Sequence, residues 1–86
     1  MKEQIFSELG FEKIIVPALQ SGTLEDWHYY ILDIGGIALV TSSSDEIKDD
    51  NWYCYLFEED SFKITNETDL VDLVNLFNKI HINTNA

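Results

Sequence analysis

The chain contains no arginine and only five lysines, against sixteen aspartates and glutamates. A formal net charge of -11 opposes direct binding to nucleic acid or to an anionic membrane, because both attract positive potential. The single cysteine, Cys54, cannot close a disulfide within the chain, which removes the small secreted scaffolds stapled by such bonds. No apolar run approaches the roughly 20 residues of a membrane span. The longest, 31–40, is interrupted by Asp33, Gly35 and Gly36. The opening Met-Lys-Glu-Gln-Ile-Phe-Ser-Glu lacks the apolar stretch and small-residue cleavage site of a secretory signal. A cytoplasmic location, in a cell or in an infected host, is the expectation. There are no repeats, linkers or low-complexity segments.

What is present is a folded domain. Hydrophobic residues make up 45% of the 86 positions and aromatics 13%, too much for an acidic disordered tail. The length holds one domain, 1–86, with 81–86 expected to fray. A domain of this size buries only about 60–65% of its unfolded surface. Repulsion among its carboxylates narrows the stability margin further at low salt.

The pattern along the chain predicts a short helix over 2–9, with Ile5, Phe6 and Leu9 on one face and Gly10 as its stop. Residues 11–19 read as a strand, with Pro17 confining its end to a sheet edge or bulge. Residues 27–34 and 37–43 flank Gly35-Gly36, the strongest local signal in the chain, and predict a hairpin with a two-residue turn. That register sets Ile34 against Ile37, Leu32 against Leu39 and Tyr30 against Thr41 on the face expected to meet the core. Residues 44–51 form a polar connection, 52–57 another strand, 58–61 its turn and 62–65 a short return strand. Asn66 is a helix cap, with Glu67 and Asp69 in the first turn where the helix dipole favours anions. Leu70, Leu73, Val74, Phe77 and Ile80 then follow helical spacing, with Val71 and Leu76 on the flanks. The expected fold is α+β: an antiparallel β-meander of four or five strands, a C-terminal amphipathic helix packed on one face and a short N-terminal helix.

The strand 52–57 is apolar on both sides, with Trp52, Cys54 and Leu56 on one and Tyr53, Tyr55 and Phe57 on the other. A half-buried strand should alternate apolar with polar, and one helix covers only one face. Three arrangements meet this difficulty. The N-terminal segment covers the second face or the sheet curls on itself, which is the favoured arrangement; the face forms a homodimer; or it receives another protein. Tyrosine and tryptophan suit interfaces because they combine large rigid area with a polar tip.

No motif declares an activity. Cys54 lies within an apolar strand, where thiols are inert. His28 reads as a half-exposed sheet residue and His81 as a group favoured by the C-terminal helix dipole. Asp33 marks the solvent side of its strand. Asp45, Glu46, Asp49 and Asp50 gather in one loop, but their spacing matches no calcium-binding loop, and Lys48 sits among them. There is no zinc spacing, phosphate-cradling loop or dinucleotide fingerprint. No metal, cofactor or enzymatic role is expected.

The charge is the most informative feature, since a small domain needs a magnitude of only about 2–8 for solubility. It points to a partner protein with a basic surface, met by electrostatic steering. Such surfaces belong mostly to nucleic-acid channels in nucleases, CRISPR effectors, restriction enzymes and polymerases. In size and charge the chain resembles phage-encoded anti-restriction and anti-CRISPR inhibitors, and immunity proteins against nuclease toxins. Its β-rich order departs from the helical bundle of the nuclease-colicin immunity family, and the resemblance carries over no residue. The leading expectation is a non-enzymatic protein-binding domain, a phage or mobile-element accessory protein that inhibits a basic partner. Asp45, Glu46, Asp49, Asp50, Glu58, Glu59 and Asp60 would steer it, and Trp27, Tyr29, Tyr53 and Tyr55 would anchor it. The alternatives are a structural homodimer and a small ligand-binding or enzymatic domain.

Overall fold

The computed structural model describes the backbone of residues 1–22 and 24–85, and their side chains except at 20, 21, 60 and 81–85. The elements are α1 (Gln4–Glu8), β1 (Glu12–Val16), α2 (Ala18–Ser21), β2 (Trp27–Ile34), β3 (Ile37–Thr41), a 3-10 turn at Ser44–Glu46, β4 (Cys54–Leu56), β5 (Glu59–Ile64) and α3 (Glu67–Asn85). The strands pair antiparallel in chain order β1-β2-β3-β4-β5, which is the expected meander.

The β2–β3 hairpin forms in the register its glycines predict. Ile34 faces Ile37 and Leu32 faces Leu39. Gly35 and Gly36 have φ of 60° and 90°, the left-handed pair that a two-residue turn of this twist requires. Asp33 is exposed, as expected, and also holds the turn: its Oδ1 accepts from the Gly36 N–H at 3.0 Å. Hydrogen bonds from Ser42 N to Tyr53 O and from Phe57 N to Ala38 O extend the β3–β4 pairing beyond the strand cores.

Several boundaries differ from the sequence expectation; β3 ends at Thr41 and β4 spans only Cys54–Leu56, both shorter than expected. The first strand stops at Val16, where Pro17 ends the ladder and opens α2 in place of a longer strand. The β4–β5 turn lies at Phe57-Glu58, starting one residue early and ending three residues early so that β5 begins at Glu59, with a register shift at Tyr55/Leu56 and Glu58 in a left-handed conformation at φ 67°. The helical backbone of α3 continues to Asn85, past the expected end. Its start is as expected: Asn66 Oδ1 accepts from the N–H groups of Thr68 and Asp69 at 2.8 and 3.3 Å. The tail side chains and that of His81 lie outside the described residues.

The core lies on one side of the sheet. Phe6 and Phe11 from the N-terminal segment, Leu70 and Val74 from α3, and Tyr30, Ile34, Leu39, Trp52 and Cys54 from the sheet form one buried cluster. The Phe6 ring sits at its centre, 5.3 Å from the rings of Phe11 and Tyr30 and 5.8 Å from Trp52. Both α1 and α3 therefore pack on the same face. The expectation that the N-terminal segment covers the second face is overturned, because α1 is drawn to the Tyr30–Trp52 side by its one fully buried ring.

Candidate functional site

The face opposite the helices is built by strand alternation. Directly paired residues share a face, so the register places Ile14 beside Tyr29, Val16 beside Trp27, Ile31 beside Val40, and Val40 beside Tyr55. Tyr53 and Phe57, which flank β4, share that side. Among the described residues, no helix packs over these side chains. Most are half-buried by one another, while Phe57 is 59% exposed and Val40, at the middle, is buried.

Trp27, Tyr29, Ile31, Val40, Tyr55 and Phe57 line an open groove of about 250 Å³ along this face. The Trp27 and Tyr29 rings stand 6.1 Å apart at 35° and form one wall. Tyr53 and Tyr55, 6.4 Å apart at 37°, continue the aromatic surface toward β5, where the Lys63 ammonium lies 4.8 Å from the centre of the Tyr53 ring. At the Trp27 end, Leu24, Glu25, Asp26, Trp27, Ser44 and Asp45 line an adjoining hollow of about 340 Å³. Local bonds position its rim. Asp26 Oδ1 accepts from Ala18 N at 2.8 Å, and Ser44 Oγ accepts from His28 N at 2.9 Å, tying the acidic loop to the start of β2.

The structure thus gathers Trp27, Tyr29 and Tyr55 in one groove, with Tyr53 on the same face and Asp45 beside Trp27. Glu46, Asp49 and Asp50 are exposed in the same connection as Asp45 but do not line the hollow. Glu58 and Glu59 are exposed at the opposite end of the sheet, so the two acidic loops do not merge. The side chain of Asp60 lies outside the described residues. Ile31, Val40, Phe57, Glu25 and Asp26 also line the site, beyond the anchors and steering charges that the sequence suggests; the hairpin register is the signal for Ile31 and Val40, and strand alternation for Phe57.

On the helix side, Glu3, His28 and Tyr30 form a polar cluster over the core edge. Glu3 Oε2 accepts from the Tyr30 hydroxyl at 2.7 Å and meets His28 Nε2 at 2.5 Å. The His28 ring stacks on Trp52 with centres 5.6 Å apart. Burial opposes ionisation of Glu3, but the Tyr30 hydroxyl, His28 and Lys13 outweigh it and hold the carboxyl below its ordinary value. Burial, and then the Glu3 carboxylate, push the Tyr30 hydroxyl up to about 12. The Cys54 thiol is pushed up to about 12 by burial. Neither Cys54 nor His28 opens onto the groove. Among the described residues, no three His, Cys, Asp or Glu side chains gather as a metal site, and no helix is long and apolar enough to cross a membrane.

No protein-family model matches the chain, and no curated protein or solved structure matches it either. The functional reading therefore rests on the geometry.

Proposed function

We propose that this chain is a non-enzymatic protein-binding domain whose open aromatic face docks a partner with a basic, nucleic-acid-binding surface. The observation that carries the reading is the packing of both α1 and α3 on one side of the sheet, which leaves the Trp27–Tyr29–Tyr55 groove uncovered beside the carboxylates of Glu25, Asp26 and Asp45. Aromatic anchors in a shallow groove supply the buried contact that dominates protein interfaces. The surrounding charge supplies steering and selects against acidic partners. Catalysis finds less support: the one thiol is buried and hard to ionise, and the one described histidine is engaged by Glu3 and Trp52. An inhibitory accessory protein of a phage or mobile element is the setting that suits such a domain.

The test is calorimetric titration against purified basic enzymes, namely a restriction nuclease, a CRISPR effector and a polymerase. Tyr55→Glu, which places a charge in the groove, should weaken binding by about tenfold or more. Leu76→Glu, on the half-exposed side of α3, should leave it unchanged. Equal affinity of the two variants, or no binding to any enzyme, contradicts the proposal.

A further inference from the structure

Trp27 stands at the junction of two depressions. It helps to line both the aromatic groove and the acidic hollow that contains Asp26 and Asp45. An aromatic face carries negative quadrupolar potential and a carboxylate carries full negative charge, so a planar cation at this junction satisfies both. The same sheet face already holds a cation over a ring, in the Lys63–Tyr53 contact.

We infer that this junction receives an arginine side chain presented by the basic partner. The guanidinium stacks on the Trp27 indole and directs its N–H groups toward the carboxylates of Asp26 and Asp45. This rests on the docking reading above and specifies what is recognised. Arginine is favoured over lysine because its planar, delocalised cation stacks on an indole and is weakly hydrated, whereas the compact ammonium holds its water strongly. Its forked donors also match carboxylate geometry. The receiving groups are set in place beforehand: Asp26 is oriented by its bond to Ala18, and the loop bearing Asp45 by the bond from His28 to Ser44.

Three short peptides, identical except for a central arginine, lysine or citrulline, test this by NMR titration of the full chain at physiological salt. The indole N–H signals separate the sites, because Trp52 is buried in the core and Trp27 lines the groove. The arginine peptide should move the Trp27 signal and leave that of Trp52, and bind about threefold or more tighter than the lysine peptide. The neutral citrulline peptide should not bind. Trp27→Ala should abolish the arginine preference, and Asp45→Asn should weaken the arginine peptide. Equal affinity for arginine and lysine, or shifts confined to the 44–51 and 58–60 loops with Trp27 unmoved, overturns the inference. The docking reading fails separately: it falls if no basic enzyme binds the face, even where the peptides discriminate, and it stands if an enzyme binds through Tyr55 without arginine preference.

Discussion

Tyr30 donates its hydroxyl hydrogen to Glu3 at 2.7 Å across 27 residues of sequence, fastening α1 to the middle of the sheet at the rim of the core. This bond holds the N-terminal segment on the helix side, and the opposite face stays open as a consequence. Tyr30→Phe should therefore cost about 1.5–3 kcal/mol, the range for a hydrogen bond to a charged group, read as a lower urea midpoint at unchanged slope.

The same pair sets a pH dependence. Glu3 has a folded pKa below its ordinary value of 4.5, so its contribution is present above that value and is lost as pH falls through the lowered one. Tyr30 has a folded pKa raised from 10.0 to about 12, so its contribution is present below pH 10 and is lost as pH rises toward 12. Unfolding midpoints across pH should decline on both limbs. Glu3→Gln should flatten the acid limb and reduce the alkaline one. An acid limb unchanged in Glu3→Gln would assign acid unfolding to other carboxylates.

Leu70 is fully buried where α3 meets the sheet. Leu70→Ala should cost about 2–5 kcal/mol. A domain of this length has roughly 4–13 kcal/mol in total, so the variant should lose a large share of its stability and melt at a clearly lower temperature. Leu76→Ala, at a half-exposed position of the same helix, should change thermal stability little.

Three carboxylate residues hold left-handed backbone without being glycine: Asp49, Asp50 and Glu58, at φ 57°, 59° and 67°. Side chains in that region are strained by roughly 1–2 kcal/mol, and glycine is not. Glu58→Gly should raise stability by about 0.5–1 kcal/mol while removing a negative charge, and Glu58→Ala should not. Thermal melts of the two variants, compared at low and high salt, separate backbone relief from charge relief.

The Cys54 thiol is fully buried and its pKa is pushed up to about 12. It should react with a disulfide reagent only at the rate at which the native state opens, and rapidly in denaturant. Fast labelling of the native chain would place a reactive thiol at the surface and revive a catalytic reading.

Much of the fold was legible in the sequence because its signals are local. Gly35-Gly36 fixed the hairpin register, Asn66 marked the start of α3, and alternation picked the face carrying Tyr30, Leu32, Ile34 and Leu39. The turn at Phe57-Glu58 was misplaced because glutamate gives no signal for the left-handed conformation it adopts there. The site was only half legible. Alternation revealed a second apolar face with Tyr29, Tyr53 and Tyr55, but whether α1 covers it depends on Phe6 finding Trp52 and on Glu3 finding Tyr30. Those contacts join residues far apart in sequence, and no periodicity encodes them. The gathering of Asp26 and Asp45 around Trp27 is of the same kind, since it needs the β2–β3 register and the Ser44 bond together.

The most direct test is the salt dependence of binding to a basic nucleic-acid enzyme, with the native chain compared against Trp27→Ala and Tyr55→Ala. The account predicts that affinity falls steeply as salt rises, about tenfold between roughly 50 and 300 mM, because exposed charges are screened. It also predicts that each substitution removes a salt-independent share of about tenfold. Affinity indifferent to salt, or undiminished in both variants, would contradict it.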